Sequence, residues 1–278
     1  MKDTACVSFL QQALPTLHMQ WQGFRKVRKQ VCKRIKRRWQ ALGLSDIAAY
    51  SRYLKANKEE WSVLDDMCRI TISRFYRDRG VFDSMRETVL LNIAREAEAK
   101  GEKSIKVWSA GAASGEEAYT LSIIWEQCFA KRFPRLTLKI VATDSSAHML
   151  KRARRACYAF GSLKDFPKQW LEEAFEREDG HYCLKEHYKH QVRFLQQDIR
   201  QTMPENDFDL ILCRNLLFSY FDEPLQRNIL TQMKRKLHPD GYLVIGIHES
   251  LPKDAVGFRE ISEHNRIYQK TKTSEVNG

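Results

Sequence analysis

The pattern of hydrophobic and polar positions divides the chain into two differently organised parts. In the first part, apolar residues recur at spacings of three and four along a stretch from Phe24 to Leu42 that lacks glycine and proline. This spacing predicts an amphipathic helix. We expect it to end at Gly43, with a following helix capped by Ser45 and a third helix over about residues 58–72.

From about residue 104 onward, short apolar runs alternate with helical segments. Seven runs predict strands, the last two of them late in the chain: residues 105–109, 138–143, 192–196, 208–213, 242–247, 258–261 and 266–269. Such runs between helices indicate a parallel sheet covered on both faces. The polar, aromatic stretch at residues 175–194 predicts a small hairpin outside this sheet, and residues 271–278 predict a frayed tail.

Composition excludes several classes of protein, and the charge distribution points to a kind of partner. The chain has 278 residues, of which 43% are hydrophobic and 29% charged, so it can form a core. It has no run of 18 apolar residues and no recognisable secretory leader, so we expect no membrane insertion. Residues 1–64 carry +9 of the net charge of +12. This basic segment suggests an acidic partner, which could be nucleic acid, an anionic membrane surface or an acidic protein.

The cysteines predict a reducing compartment. Their number is odd and no C-x-x-C occurs, which argues against a disulfide scaffold and against a four-ligand zinc site. We therefore expect reduced thiols, a cytoplasmic location and no metal. The seven positions are Cys6, Cys32, Cys68, Cys128, Cys157, Cys183 and Cys213.

A loop of small residues between a predicted strand and a predicted helix indicates a ligand site. Gly111 and Gly115 permit close approach of the backbone, and the start of the helix offers N–H groups. The loop lacks both the G-x-G-x-x-G of dinucleotide sites and the Gly-Lys-Ser/Thr of a P-loop. Glu116 and Glu117 stand at the helix start instead, where they would repel a pyrophosphate and suit an ammonium or sulfonium group. Alternatively, both glutamates only cap the helix.

Acidic residues also follow two of the predicted strands. Asp144 ends the second strand, where nucleoside-binding α/β folds hold ribose hydroxyls, although an Asp there is also a common turn or helix cap. Asp198 follows the next strand, at the edge where open sheets bind ligands. A ligand with adenosine, a positive centre and no phosphate is S-adenosylmethionine, which is therefore the predicted cofactor.

Five ordered segments within residues 24–270 resemble the chemotaxis receptor methyltransferases, the CheR family. They are similar to the family's F-F-R-[ED], S-A-G-x-x-[ST]-G-E-E-x-Y-[ST], second-strand Asp with A-x-x-G-x-Y, F-D-[LV]-I-x-C-R-N-[VL]-x-x-Y-F-D and P-G-G-x-L-x-x-G-H-S-E motifs. The usual glycine of the third motif is absent from this chain. The matching segments are RFYRDRGVFD (Arg74–Asp83), WSAGAASGEEAYTLS (Trp108–Ser122), ATDSSAHMLKRARRACY (Ala142–Tyr158), FDLILCRNLLFSYFDEPLQRNIL (Phe208–Leu230) and PDGYLVIGIHES (Pro239–Ser250).

The resemblance implies a fold and a division into domains. It implies an α/β protein with a Rossmann-like class I methyltransferase sheet, an N-terminal all-helical domain and a small inserted β-subdomain. In this chain we expect the helical domain and a linker over residues 1–82 and the methyltransferase domain over residues 83–270. The β-subdomain would lie within residues 175–194.

The resemblance also implies site residues, by motif match. It does not distinguish which of the two glutamates contacts the amino group of the methionine moiety, and it implies no metal. The matched cofactor-binding residues are Thr71, Ser73, Arg77, Gly111, Glu116, Glu117, Asp144, Asp198, Ile199, Cys213 and Arg214.

Arg77 and Tyr220 are the catalytic candidates implied by the motifs. In the family the methyl acceptor is a glutamate side chain, which is already an anion at neutral pH and needs alignment and exclusion of water rather than a strong base. An arginine or a hydroxyl group can hold such an acceptor. Alternatively, Arg77 forms only a surface ion pair with Asp78 or Asp83, and Tyr220 is only a packed aromatic residue.

The implied function is O-methylation of glutamates on the helical cytoplasmic rod of a chemoreceptor, by a cytoplasmic enzyme that we expect to be monomeric. In the family the N-terminal domain is thought to meet this acidic rod. Two departures lie near the expected substrate entrance: CRNLLFSYFD has one residue more than the family spacing, and His248 stands one place late.

Three alternatives to this function remain. The first is a methyltransferase of the same fold that acts on another protein, a nucleic acid or a small molecule. Nucleic acid is disfavoured, because CRNL replaces the Asn/Asp-Pro-Pro-Tyr/Phe motif of amino-methylating enzymes. The second is a non-enzymatic nucleic-acid-binding module built on the basic helix. The third is a non-catalytic adaptor that retains the cofactor fold.

Overall fold

The computed structural model describes residues 3–271, so the expected tail lies outside the described residues except for Thr271. The chain forms two compact units: Met1–Ile70 with Leu216–Gln226, and Thr71–Asn215 with Arg227–Gly278. The division differs from the expected boundary at residue 82, because residues 71–82 contribute Phe75 and Phe82 to the core of the second unit. No helix in the described range has the length and hydrophobicity that a membrane crossing requires.

The helices of the two units vary in length from a single turn to 14 residues. A π-helical turn (Met85–Val89) lies between α6 and α7. In chain order the helices are α1 (Asp3–Ala13), α2 (Trp21–Phe24), α3 (Arg28–Ala41), α4 (Ile47–Ala56), α5 (Glu60–Cys68), α6 (Arg79–Ser84), α7 (Leu90–Ala99), α8 (Glu116–Cys128), α9 (Ala147–Arg155), α10 (Lys168–Ala174), α11 (Glu186–Lys189), α12 (Leu217–Tyr220) and α13 (Glu223–Lys236).

Helix α3 follows the predicted apolar stripe, because Val31, Ile35 and Trp39 are all buried. It begins at Arg28 rather than at Phe24, which instead ends the short helix α2. The predicted end is confirmed: Gly43 has a φ of +68°, and its N–H donates to the carbonyl of Gln40 at 3.0 Å.

Two other helix boundaries differ from prediction. The cap of α4 is Asp46, whose carboxylate accepts the N–H of Ala49 at 2.8 Å, so the prediction of Ser45 as the cap is wrong. Helix α5 covers only Glu60–Cys68 within the predicted residues 58–72.

The first unit contains a buried ion pair that joins three of its helices. Arg38 of α3 donates to Glu60 of α5 through two nitrogens, at 2.9 and 2.7 Å. The hydroxyl of Tyr50, on α4, donates to the same carboxylate at 2.8 Å. Glu60 is only 4% exposed, and the three bonds satisfy its charge.

The second unit is built on a seven-stranded sheet with the order β6-β2-β1-β7-β8-β10-β9. The first five strands of that order are parallel, whereas β10 pairs antiparallel with both β8 and β9. The prediction of a parallel sheet is therefore wrong at this edge, although the predicted Rossmann-like α/β fold is confirmed. The strands are β1 (Ser104–Ala110), β2 (Thr137–Asp144), β3 (Cys157–Tyr158), β4 (Phe175–Glu178), β5 (His181–Leu184), β6 (Val192–Gln196), β7 (Phe208–Cys213), β8 (Leu237–Ile245), β9 (Phe258–Ser262) and β10 (Ile267–Lys270).

The strand order positions the ligand site. Strand β1 lies between β2 and β7, so connections from the centre of the sheet leave in opposite directions on its two sides. Open α/β sheets bind ligands at the carboxyl ends of the strands beside such a reversal. In this chain that place is formed by the loops that follow Ala110 and Cys213.

A second, three-stranded sheet has the order β3-β5-β4. The predicted hairpin is present as β4 and β5, and its turn is formed by Asp179 and Gly180, which have φ values of +47° and +75°. The small sheet also includes β3, whereas residues 192–194, the end of the expected insert, belong to β6 of the main sheet.

Four of the seven cysteines form disulfides, so the expectation of reduced thiols is wrong for these four. Cys6 and Cys32 join α1 to α3, and Cys157 and Cys183 join β3 to β5. Each pair is 26 residues apart in sequence, and only the packing of helices or the pairing of strands brings its members together. Cysteine usage therefore gives no support for a reducing compartment.

Candidate functional site

The small-residue loop after β1 is fastened to the end of β2. Gly111 has a φ of +77°, and the N–H groups of Gly111 and Ala112 both donate to the carbonyl of Thr143, at 2.8 and 2.9 Å. The N–H of Ala113 donates to the carboxylate of Asp144 at 2.9 Å, and this carboxylate also accepts the N–H of Ser146 at 2.8 Å. Asp144 therefore shapes the loop, in addition to standing where a ribose is held in related folds.

Gly115 lets α8 approach the sheet closely. It has a φ of +90°, and a Cβ atom at this position would lie 3.0 Å from Phe194 and 3.1 Å from Tyr119. A larger residue would therefore push the start of α8 away from the loop. This glycine fixes the position of the two glutamates that follow it.

Glu116 is a buried carboxylate whose partners are hydroxyl groups. It is 1% exposed, and the Ser114 hydroxyl donates to both of its oxygens, at 2.8 and 3.0 Å. Ser73 forms a further hydrogen bond to it, and burial raises the pKa of the Glu116 carboxyl above its usual range. Among residues 3–271, Glu116 has no ion-pair partner, and the attraction of Arg152, which lowers its pKa, is weaker than the effects of burial and of the hydrogen bonds.

Glu117, in contrast, forms an ion pair with an arginine. Arg214, which follows β7, donates to the Glu117 carboxylate at 3.1 Å and to the Asp78 carboxylate at 2.7 Å. Glu117 also accepts the Ser109 hydroxyl at 2.8 Å. The Arg214 side chain is only 2% exposed and its guanidinium lies 5.2 Å from the centre of the Phe82 ring. The loops after β1 and β7 are thus joined by a buried ion pair.

Arg77 lies beside this network with its side chain 29% exposed. One of its terminal nitrogens donates to the carbonyl of Ile72 at 2.9 Å, and its Nε is 4.0 Å from Asp78. Its own carbonyl accepts from Arg214 at 3.0 Å. The alternative ion pair with Asp78 is therefore present at the limit of contact, while Thr71 and Ser73 lie just before Arg77, partly exposed.

The remaining predicted residues of the second unit stand at the ends of β6 and β7. The Asp198 carboxylate is held by Arg200, whose Nε and terminal nitrogen donate to it at 2.9 and 2.6 Å. Ile199 and Cys213 are buried. The side-chain oxygen of Gln197, next to Asp198, is buried without a hydrogen-bond partner in the described chain.

Tyr220 is the one predicted site residue that belongs to the first unit. Its ring centre lies 5.1 Å from that of Phe24, and its carbonyl accepts the N–H of Gln20 at 2.8 Å. Within the CRNLLFSYFD segment, Leu217–Tyr220 form the helical turn α12, at whose end Tyr220 stands.

Sequence reasoning missed a buried acid that joins two site loops. Glu249 is 3% exposed and accepts the N–H groups of Asn215 at 2.8 Å and Gly246 at 2.6 Å, so it links the segments after β7 and β8. Asp78 and Ser114 were also missed as partners of Arg214 and Glu116. The sequence did offer one signal for these residues: polar side chains stand in the segments near the carboxyl ends of the predicted strands, where open sheets bind ligands.

The carboxylate and hydroxyl groups around the loop fit the predicted cofactor, S-adenosylmethionine. Glu116 is a buried carboxylate that forms no ion pair with a described residue and lies next to two hydroxyl groups, which suits an amino group. Arg214 is already engaged by two other carboxylates. A pyrophosphate would meet uncompensated negative charge at Glu116. The residues present therefore fit S-adenosylmethionine and do not fit a dinucleotide.

Comparison with known proteins agrees with this fit. The model of the family described as "CheR methyltransferase, SAM binding domain" matches residues 71–267. The chain is 31% identical over 231 residues to a chemotaxis protein methyltransferase of Salmonella typhimurium, covering 80% of this chain and 76% of that protein. It is 31% identical over 241 residues to an uncharacterized 104.1 kDa protein of Rhodobacter capsulatus, covering 86% of this chain and 25% of the relative. Among solved structures, the N-methyltransferase NodS from Bradyrhizobium japonicum is 18% identical, with a TM-score of 0.31, over 59% of this chain and 61% of NodS.

Proposed function

The chain belongs to the CheR methyltransferase family, and we propose that it methylates glutamate side chains of a chemoreceptor-like protein. Its cofactor is S-adenosylmethionine, which when bound supplies an electrophilic methyl group on a sulfonium centre. One observation carries the proposal: Glu116, which is buried and forms no ion pair with any residue of the described range, stands at the start of α8 beside the carboxyl end of β1. This is where a positively charged ligand would be held in this fold.

The two glutamates of the loop have different proposed roles. Glu116 holds the amino group of the cofactor, because no described arginine or lysine pairs with it. Glu117 positions Arg214, which compensates its charge. We assign Asp144 to both the loop and the ribose, because its carboxylate fastens the loop and stands at the end of β2, where nucleoside-binding folds hold ribose hydroxyls.

The acceptor carboxylate requires a partner that orients it and leaves it ionised. The guanidinium of Arg77 has five N–H donors, of which one is engaged by the carbonyl of Ile72, and its side chain is partly exposed. We therefore assign Arg77 to the acceptor. Tyr220 is the second candidate, and its contact with Phe24 supports a packing role equally well.

A second candidate function has a specific observation in its favour. The extra residue of CRNLLFSYFD and the late position of His248 both fall in segments that match the family motifs less closely than the cofactor loop does. An acceptor protein other than a chemoreceptor would be compatible with this change.

For either function we propose an acidic protein as partner, because residues 1–64 carry a net charge of +9. We also propose that the enzyme acts in the cytoplasm as a monomer.

Transfer of a labelled methyl group tests the function. The full chain is incubated with methyl-labelled S-adenosylmethionine and an isolated chemoreceptor cytoplasmic rod, and the labelled protein is treated with mild alkali. We expect label that alkali releases as methanol, because carboxyl methyl esters hydrolyse whereas methylated amines do not. Alkali-stable label would overturn the glutamate acceptor and leave the methyltransferase assignment intact. In a parallel assay with a cell lysate, alkali-labile label on other proteins, with none on the rod, would favour the second candidate.

A further inference from the structure

One face of the small sheet carries an unusual set of side chains. Cys157 on β3 pairs with Cys183 on β5, which pairs on its other side with Glu176 of β4, and Glu178 pairs with His181. Because directly paired residues and residues two apart share a face, these five side chains point the same way. The opposite face packs into the core through Tyr158, Tyr182 and Leu184, and it also carries the exposed Arg177, which donates to the Tyr182 hydroxyl.

Three of these side chains are close enough to share one ion. The sulfurs of Cys157 and Cys183 and a carboxylate oxygen of Glu178 all lie within 4.8 Å of one another. Zn–S bonds of about 2.3 Å and Zn–O bonds of about 2.0–2.2 Å place neighbouring ligands of a tetrahedral ion roughly 3.3–3.8 Å apart. Small side-chain rotations would therefore bring the three atoms to the required spacing.

We propose that this face is a binding site for a soft divalent cation of the zinc class, held by Cys157, Cys183 and Glu178 when the two cysteines are reduced. Thiolate sulfur selects zinc-like cations over magnesium or calcium, which prefer oxygen ligands only. With three ligands from the chain, the fourth position is open to solvent. This site was not expected from the sequence, in which the two cysteines are 26 residues apart.

The disulfide and the metal site are two states of the same pair of sulfurs. The structure holds the oxidised state, in which the S–S bond occupies both sulfurs. A dithiol reductant supplies two electrons and two protons and becomes a disulfide. A phosphine supplies the two electrons, while water supplies the two protons and the oxygen of the resulting phosphine oxide. Either reaction converts the two sulfurs to thiols. The cation then displaces both thiol protons and binds the thiolates. Metal binding and disulfide formation therefore exclude each other.

The position of the site gives it a structural consequence. Tyr158, next to Cys157, donates its hydroxyl to the carbonyl of Ser114 at 2.7 Å, and Ser114 in turn donates to Glu116. A cation that clamps β3 against β5 thus fixes a strand whose other face supports the cofactor loop. We expect the cation to raise the thermal stability of the reduced protein, since it binds only the folded arrangement of ligands.

The test uses the full chain, reduced anaerobically with a phosphine and titrated with Co²⁺ as a spectroscopic substitute for Zn²⁺. We expect a thiolate-to-cobalt charge-transfer band that saturates at one equivalent and is abolished by added Zn²⁺. Competition with a chromophoric chelator then gives the affinity. The unreduced protein should show no band, because its sulfurs are bonded to each other.

Matched variants distinguish the ligands from their neighbours. C157S/C183S should abolish the band, whereas C6S/C32S, which removes the other disulfide, should retain it. E178Q should weaken binding roughly 10–100-fold, a range typical of weakened metal sites. E176Q, which changes a carboxylate on the same face but outside the three-ligand group, should have little effect.

Two results would overturn the site. One is the absence of a charge-transfer band in the reduced wild-type protein, which would leave the pair as a disulfide only. The other is a band of unchanged intensity in C157S/C183S. Binding of S-adenosylhomocysteine to each variant reports whether it is folded, and if the double variant fails this check, C183S and E178Q decide the outcome.

Discussion

The two units each bury an arginine–carboxylate network, and the two networks differ in charge balance. In the first unit, one arginine faces one carboxylate: Arg38 binds Glu60 through two nitrogens, and Tyr50 completes the set. In the second unit, Arg214 lies between the carboxylates of Asp78 and Glu117, and Glu116 stands nearby with no ion pair to a residue that the structure describes. Even when Arg77 is counted, whose Nε lies 4.0 Å from Asp78, the second network holds one carboxylate more than it has arginines.

The pKa shifts of the two buried glutamates are opposite for this reason. The hydrogen bond from Arg38 lowers the pKa of Glu60, so its ionised form stabilises the fold above the ordinary carboxyl pKa, and this stabilisation is lost as the pH falls through the lowered pKa. Burial raises the pKa of Glu116, so its ionisation costs stability as the pH rises from the ordinary value through the raised one. A balanced network thus holds helices together, whereas an unbalanced one indicates a place for a cationic ligand.

The largest expected effect tests whether the network of the first unit stabilises the fold. Replacing Glu60 with Ala leaves Arg38 and Tyr50 without their shared acceptor in a buried position. We expect a loss of about 2–3 kcal/mol in the free energy of unfolding, below the usual cost of breaking a buried pair because the Arg38 side chain is 34% exposed. Denaturant unfolding measures this loss. Affinity for S-adenosylhomocysteine should be unchanged in the folded variant, and a stable E60A protein with weakened cofactor binding would contradict the assignment.

The second prediction tests the role of the second network in binding the cofactor. Glu116→Gln keeps the shape of the side chain and removes its charge, so we expect S-adenosylhomocysteine to bind roughly 10–100-fold more weakly, the loss of one charge-assisted hydrogen bond. Folding stability should be kept or slightly raised, because a buried charge is gone. Calorimetry and denaturant unfolding measure the two quantities. Glu117→Gln is the matched control and should affect binding less, since Arg214 retains Asp78.

The pH dependence of binding gives a further control for Glu116. Because the ammonium of the ligand favours the ionised carboxylate, affinity should fall as the pH is lowered through the raised pKa of Glu116. Binding near that pKa should release a proton, visible as a dependence of the calorimetric heat on the ionisation enthalpy of the buffer. E116Q should lose this proton release. If E117Q loses it instead, charge balance does not identify the ligand-binding glutamate.

The smallest expected effect concerns the basic surface of the first unit. On α3, Arg34 donates to the carbonyl of Met67 and Arg38 donates to Glu60, so both bind within the unit. Lys33 and Arg37 are exposed. Reversing the latter two (K33E/R37E) should raise the apparent KM for an acidic acceptor by about two- to tenfold at low salt, and less as the salt concentration rises.

A matched control keeps the change of net charge the same. K131E/R135E reverses two exposed cations of the second unit and should leave the KM for the acceptor nearly unchanged. Cofactor affinity should be unaffected in both double variants. Equal KM values for the two variants at low salt would contradict the prediction, and the basic face of α3 would then serve only solubility.

Local patterns determined much of the fold in advance. The apolar runs at Val192–Gln196 and Phe208–Cys213 became β6 and β7 with the predicted bounds, and Gly43 ends α3 as expected. These features depend on residues that are neighbours in the chain, so periodicity and turn chemistry suffice to find them. The antiparallel edge formed by β9 and β10 was not found, because strand direction depends on which strand each one pairs with.

The sequence by itself also determined the place of the cofactor loop and the two adjacent glutamates, through the change from a strand to small residues to a helix. Only the tertiary structure decided that Glu117 faces Arg214, 97 residues later in the chain, while Glu116 faces hydroxyl groups. It likewise decided that Cys157 meets Cys183 on one face of the small sheet. The physical reason is that charge balance and ligand grouping depend on contacts between distant segments, and adjacent residues on a helix point in different directions.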